Sequence, residues 1–268
     1  MSKPKILFVY DHEYPEIWKD GLWAALNLLE QDFVLDKVNL YNQKPESIEY
    51  YDCILGWGAF GSKVDGWLKW AKVQSYKGKI GLCIAGNAHR ALETNYYDVL
   101  FYETDWYKPQ IENHPNIVKA FGVNTDIFHP IDSPKIWDYL TVGAFAYWKR
   151  QERMVTLPQG PKFAIGQIQR GNIDESTEII GTLLSGGVAI SDMVAPEVLA
   201  KIYNASKIVY IPADINGGGE RAVWEAKACG CKVEIEPDNP KLEELVNQDH
   251  QDHHFYAEQL KKGILSCL

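Results

Sequence analysis

The chain has 268 residues, 46% hydrophobic and 24% charged, which is enough apolar material for one large or two medium domains with full cores and too much for a disordered chain. Its net charge of −9 disfavours a large polyanionic partner, while leaving room for a local basic patch. No apolar run reaches the roughly 18 residues of a membrane span, and the cysteines Cys53, Cys83, Cys229, Cys231 and Cys267 are odd in number without a Cys-x-x-Cys spacing, which argues against a disulfide framework or a zinc knuckle.

The start, Met1-Ser-Lys-Pro-Lys5, leads straight into Ile6–Tyr10 without a signal-peptide core, so the expected location is the cytoplasm and no transmembrane segment is expected. Ile6–Tyr10 is a continuous apolar run, the pattern of a strand buried on both faces of a parallel sheet. Trp18, Leu22, Ala25, Leu26 and Leu29 then recur at helical spacing, with Pro15 near the start, where a missing N–H costs nothing. Between strand and helix, Asp11-His12-Glu13-Tyr14 stands at the carboxyl end of the first strand, where open α/β sheets bind ligands. His12 is therefore a candidate acceptor-side catalytic group; a solvated loop histidine is the plain alternative.

Strand and helix patterns keep alternating: Phe33–Leu40, Cys53–Leu55, a helix from Ser62 to about Lys72, Ile80–Ala85, Val99–Tyr102 and Ile117–Phe121. That order predicts a doubly wound half. In the helix, Ser62 is the expected cap with Asp65 three residues on, and Val64, Trp67, Leu68 and Ala71 form the apolar face. Lys63, Lys69, Lys72, Lys77 and Lys79, interleaved with Trp70 and Tyr76, form a basic and aromatic stretch. It reads as a solvated face or, alternatively, as a binding face for an anionic acceptor such as nucleic acid.

Gly122–Pro130 and Ile131–Lys135 are rich in turn formers and lack periodicity, as an interdomain linker does. The second half then predicts strands at Tyr139–Val142, Phe163–Ile168, Ile208–Ile211 and Lys232–Ile235. Helices are expected at Ser176–Ser185, Ala195–Ala205, Lys241–Val246 and over the tail from His253. In the Ala195–Ala205 helix, Pro196 lies in the first turn and Val198, Leu199, Ile202 and Tyr203 share a face. His253 and His254 are adjacent on a helix, so they do not face one another, and no third ligand has suggestive spacing; no metal site is expected.

The most informative stretch is Ile211-Pro-Ala-Asp-Ile-Asn-Gly-Gly-Gly-Glu-Arg221, followed by a helix that stops at Gly230. A strand gives way to Gly217, Gly218 and Gly219, and Glu220 and Arg221 open the helix. Such a loop lets backbone N–H groups approach a ligand, and the helix start adds unpaired donors with partial positive charge, which together make a phosphate cradle. A plain tight turn is the alternative. Glu225 lies roughly 9 Å further along the helix axis, where its carboxylate would accept from the vicinal hydroxyls of a ribose.

Trp224-Glu-Ala-Lys-Ala-Cys-Gly230 resembles the end of the nucleotide-sugar signature of glycosyltransferase family 4, with Glu225 on the ribose-binding glutamate. Gly122–Pro130 resembles the Gly-Val-Asp-x-x-x-Phe-x-Pro segment that joins the lobes of those enzymes, with Asn124 where Asp is usual. Gly143–Lys149 resembles their Gly-Arg-x-x-x-x-Lys loop, with Ala144 in place of the arginine, and Leu199, Tyr203 and Ala205 match the helix that delivers the glycine loop. By position Lys149 inherits neutralisation of the departing diphosphate. Arg150 or Arg153 stands in for the missing guanidinium, and Arg170, at a strand end, faces the same site. The family glutamate eight residues before Glu225 is Gly217 here, which leaves Glu220 as the nearest carboxylate to contact the donor sugar.

The resemblance implies an α/β GT-B fold: two Rossmann-like doubly wound parallel-sheet lobes with a cleft between them. The expected division is 1–122 for an acceptor-side lobe, 123–135 for the linker, 136–250 for a nucleotide-sugar lobe and 251–268 for a helix returning to the first lobe. The implied activity is transfer of a sugar from a UDP-, GDP- or other nucleotide sugar to a hydroxyl, with retention and without metal. Lys149, Glu220 and His12 are the catalytic candidates; Gly217, Gly218, Gly219, Glu220, Arg221, Glu225, Lys149, Arg150 and Arg170 are the donor-binding ones. A carbohydrate or lipid-linked acceptor is expected. The alternatives are hydroxymethylated bases of viral DNA as acceptor, a non-catalytic nucleotide-sugar binder, and a sugar-nucleotide epimerase or isomerase.

Overall fold

A computed structural model describes residues 2–12, 19–45, 47–86 and 93–268, apart from the Arg170 side chain. The expected helix start at Pro15 and Trp18, and the Glu13–Tyr14 end of the His12 loop, lie outside the described residues. The chain forms two compact units, Met1–Gly122 with Gln251–Leu268, and Val123–His250.

The first unit holds a six-stranded, all-parallel sheet built from β1 (Lys5–Tyr10), β2 (Val34–Asn39), β3 (Cys53–Gly58), β4 (Lys79–Ile84), β5 (Val99–Tyr102) and β6 (Ile117–Lys119) in the order β2-β1-β3-β4-β5-β6. Ile6 to Val9 are fully buried, as a strand covered on both faces requires. Helices α1 (Gly21–Leu29), α2 (Lys63–Val73) and the short α3 (Lys108–Ile111) follow β1, β3 and β5. Asp20 caps α1 by accepting from Trp23 N–H.

At the start of α2, Ser62 Oγ accepts from Asp65 N–H, but the Asp65 carboxylate accepts from Gly61 N–H at 2.8 Å and from the Tyr97 hydroxyl. Asp65 is therefore buried, and Val64, Leu68 and Ala71 make the inward face with Trp67 at its edge. Tyr76 also turns inward and donates to Tyr51 O, so it belongs to the core and not to a basic and aromatic binding face.

The second unit carries a five-stranded parallel sheet of β7 (Trp137–Val142), β8 (Lys162–Ile165), β9 (Ala189–Ser191), β10 (Ser206–Ile211) and β11 (Lys232–Ile235) in the order β11-β10-β7-β8-β9. Its helices are α4 (Ile173–Ser185), α5 (Pro196–Asn204), α6 (Glu220–Ala228) and α7 (Pro240–Asn247). On α5 the inward residues are Ala200, Tyr203 and Asn204, while Val198 is 44% exposed, so the apolar face is rotated from the one its large side chains suggest. Asn204 fastens the preceding connection: it accepts from Ile131 N–H and donates to His129 O.

The last helix, α8 (His253–Cys267), packs on α1, β5 and β6 within the first unit. Among the described residues, no helix is long and apolar enough to cross a membrane.

Candidate functional site

In the second sheet the chain order reverses between β7 and β10, which lie side by side. Ligands of open α/β sheets bind outside the carboxyl ends of the strands at such a point. The two loops that leave there are the ones carrying Lys149, after β7, and Gly217–Gly219, after β10.

The loops are clasped together through their backbones. Asp214 N–H donates to Trp148 O at 3.0 Å. A Cβ on Gly217 would lie 2.8 Å from Ala213 Cβ and 3.1 Å from the Trp148 carbonyl carbon, so only glycine permits this approach. Gly218 and Gly219 have φ of +61° and +116°, the left-handed region that favours glycine. Gly219 is the N-cap of α6 and offers no capping oxygen of its own; the Glu220 carboxylate accepts from its own N–H, and the N–H groups of Arg221 and Ala222 follow it in the first turn.

Lys149 lies against this helix start: its Nζ is 3.5 Å from the position of a Cβ on Gly218. The residue is partly exposed but its ammonium is buried, and burial pushes it down to about 8; Glu220 and Asp214 pull it back up, while the positive charges of Arg221 and Lys241 push it further down. Arg221 itself is exposed in the first turn of α6. Burial is the larger cause of the depressed Lys149 value, so an anion arriving beside Lys149 at the helix N-terminus would replace the charge stabilisation that lost solvent no longer supplies.

Glu220 is buried and forms a 2.8 Å ion pair with Lys241 on α7. Burial raises its pKa, but the Lys241 charge, with the Glu220 N–H and the Lys149 charge, outweighs this and holds the carboxyl below its ordinary value. Glu225 faces α5 instead of α7, where the Tyr203 hydroxyl donates to its Oε2 at 3.3 Å. Arg150 adopts a left-handed backbone (φ 51°, ψ 30°) and reaches Asp238 at 2.6 Å and Asp214 at 3.5 Å; Arg153 pairs with Glu236 at 3.0 Å. Both guanidiniums thus brace the loops through carboxylates of the chain itself. Arg170 opens a short turn after β8.

His12 belongs to the first unit, where its backbone exchanges two hydrogen bonds with the Asn39 side chain. Four of the five patch lysines meet carboxylates: Lys63 with Asp11, Lys69 with Asp65 and Glu93, and Lys72 and Lys79 both with Asp98. A surface neutralised in this way has little charge left for a phosphate backbone.

Sequence reasoning missed the segment after β11. In Glu236-Pro-Asp-Asn-Pro-Lys241, Glu236 holds Arg153 and the Tyr210 hydroxyl, Asp238 holds Arg150, Asn239 donates to the carbonyls of Ala213 (3.0 Å) and Asp214 (2.8 Å), and Lys241 holds Glu220. A polar run with two prolines at a strand end next to the glycine-loop strand was the available signal.

No protein-family model matches the sequence, and no curated protein matches it. Solved structures do. Sucrose-phosphate synthase from Thermosynechococcus elongatus aligns at TM-score 0.65 and 13% identity over 98% of this chain and 90% of that one. Anabaena HepE in complex with UDP and glucose aligns at 0.63 and 13% over 98% and 89%. UDP-GlcNAc 2-epimerase from Neisseria meningitidis, bound to UDP-GlcNAc, aligns at 0.61 and 12% over 98% and 100%. At these identities the likeness is one of architecture, and the chain has the GT-B fold, with two Rossmann-like lobes built on parallel sheets.

Proposed function

We propose that the protein is a glycosyltransferase that moves a sugar from a nucleoside diphosphate sugar to a hydroxyl acceptor. The observation that carries the reading is Lys149 set beside the glycine-loop start of α6 at the switch point of the second sheet. In the reaction the bond from the anomeric carbon to the diphosphate oxygen breaks, a bond from that carbon to the acceptor oxygen forms, and the hydroxyl proton passes to the departing phosphate. Negative charge grows on the diphosphate, and the α6 N–H groups, Lys149 and Arg221 are pre-aimed at it without a metal ion. Glu225, oriented by Tyr203, takes the ribose hydroxyls. Retention of configuration and a neutral carbohydrate or lipid-linked acceptor complete the reading. The neutralised lysines of α2 and β4 count against nucleic acid as the acceptor.

A panel of nucleoside diphosphates and their sugars tested by thermal shift, then candidate acceptors by mass spectrometry, checks the proposal. One nucleotide should raise the melting temperature, and transfer should proceed in EDTA. Absence of any shift at millimolar nucleotide contradicts it. A second reading, sugar-nucleotide epimerisation, is motivated by the end-to-end alignment with the Neisseria epimerase. An isomerised sugar nucleotide, in place of transferred or released sugar, would select it.

A further inference from the structure

The Glu220–Lys241 pair is nearly sealed from solvent, the Glu220 side chain 7% and the Lys241 side chain 0% exposed. A buried ion pair pays in desolvation for most of what its attraction returns, so stability alone does not account for it. Gly218 supplies a different reason. A Cβ there would lie 3.2 Å from Glu220 Oε2 and 3.5 Å from Lys149 Nζ, so the second carboxylate oxygen and the ammonium share the space that the missing side chain leaves. A Glu220 carboxylate at liberty to turn would close on Lys149 and occupy the cation that a diphosphate needs.

The charges that act on Lys149 are Glu220 and Arg221 from α6, Asp214 from the preceding loop and Lys241 from α7. Each of the two carboxylates is held by another cation: Asp214 meets Arg150 at 3.5 Å and also accepts from Asn216 N–H, and Glu220 meets Lys241 at 2.8 Å.

We propose that Lys241 is a positioning residue which, by holding Glu220 in the interface of α6 and α7, keeps that carboxylate from closing on Lys149 and leaves Lys149 open to a nucleoside diphosphate. The inference rests on the reading of the glycine loop as an anion site. Lys241 touches neither ligand nor reacting atoms in this role; it acts through Glu220.

Three variants test it: Lys241→Met, Lys241→Arg and the double variant Lys241→Met/Glu220→Gln. Two readouts are used, UDP and GDP affinity at pH 7 by calorimetry and the titration of Lys149 in the ligand-free protein by lysine-selective NMR. In Lys241→Met, Glu220 turns to Lys149 and nucleotide affinity falls by about tenfold, as for a lost charge-assisted contact; the Lys149 titration moves to higher pH, in part simply because the Lys241 charge is gone, so affinity is the deciding readout. Lys241→Arg keeps Glu220 in place and stays near wild type. The double variant removes the competing carboxylate and recovers affinity to within about threefold.

A Lys241→Met protein with unchanged nucleotide affinity overturns the inference. If Lys241→Met does not fold, the double variant decides alone: retained binding upholds the inference, and lost binding overturns it, because Lys241 then acts other than through Glu220. Wild-type protein that binds no nucleoside diphosphate overturns the anion-site reading and this inference together. Wild-type binding with an indifferent Lys241→Met overturns this inference alone.

Discussion

Gly217→Ala is the sharpest structural perturbation of the proposed donor site. The new methyl carbon would lie 2.8 Å from Ala213 Cβ and 3.1 Å from the Trp148 carbonyl carbon, with the carbonyl oxygen nearer still. Relaxed carbon contacts are about 3.5–4.0 Å, so the two loops must part by roughly 0.5–1 Å. All of these neighbours are backbone or the first carbon of a side chain, so no flexible tip can swing away. The separation strains the site by about 1–3 kcal/mol and breaks the Asp214 N–H bond to Trp148 O, a further ~0.5–1.5 kcal/mol. At about 2–4 °C per kcal/mol for a chain of this size, the melting temperature should drop by roughly 3–18 °C. Lys149, next to Trp148, moves with its loop, and nucleotide affinity should fall about tenfold.

Gly181→Ala in α4 is the internal control, because nothing lies within 4 Å of its Cβ position. There the same change should stabilise by about 0.5–1 kcal/mol. Calorimetric melting of the three proteins decides the matter. If Gly217→Ala melts together with Gly181→Ala, the clasp between the loops does not exist as described.

Three further expectations follow from the site and its surroundings. Glu225→Ala should weaken nucleoside diphosphate binding by about 1.5–3 kcal/mol, the range for charge-assisted hydrogen bonds, and calorimetry returning the wild-type dissociation constant would remove the ribose assignment. Because Lys149 is held at about 8 against an ordinary 10.5, it is cationic at pH 7, and nucleotide affinity should decline as pH rises through about 8, with proton uptake on binding near that pH in two buffers of different ionisation heat. The stability contribution has the opposite sign: between those two values the unfolded chain holds more protons than the folded one, so the Lys149 penalty on folding eases as pH rises across that window. Lys72→Glu should leave transfer to a neutral glycan unchanged while lowering stability by a few tenths to ~1 kcal/mol, since it sets a carboxylate against Asp98; a loss of transfer at unchanged stability would restore a role for the basic face.

The fold was legible because strands covered on both faces announce themselves as unbroken apolar runs. Val99–Tyr102 and Lys232–Ile235 carry the same ends in sequence and structure, and β1, β4 and β10 differ by one or two residues at their edges. The strand Ala189–Ser191 gave too weak a signal: three residues long and at the sheet edge, it shows only the short apolar run Val188-Ala189-Ile190. On α5 the counting of large side chains misled. Val198 faces solvent, and the inward place is taken by Asn204, whose amide is used to fasten the 129–131 connection.

The same limit applies to the site. Glycines and a following helix are visible in one dimension, so the loop at 217–219 could be read directly. A lysine in the first turn of a helix reads as solvated, and only the packing of α6 against α7 shows that Lys241 is sealed against Glu220. Likewise Arg150, a free guanidinium on paper, is placed by its left-handed backbone between two aspartates.

The central claim is that Lys149 and the α6 N-terminus bind the diphosphate of a nucleotide sugar. Calorimetric titration of UDP and GDP into wild-type protein and Lys149→Met at pH 7 tests it most directly. The account predicts saturable binding of one nucleotide by the wild type and affinity about ten- to a hundredfold weaker in Lys149→Met, the loss of one charge-assisted contact in a half-buried site. Equal affinity in the two proteins, or no binding by the wild type, contradicts it.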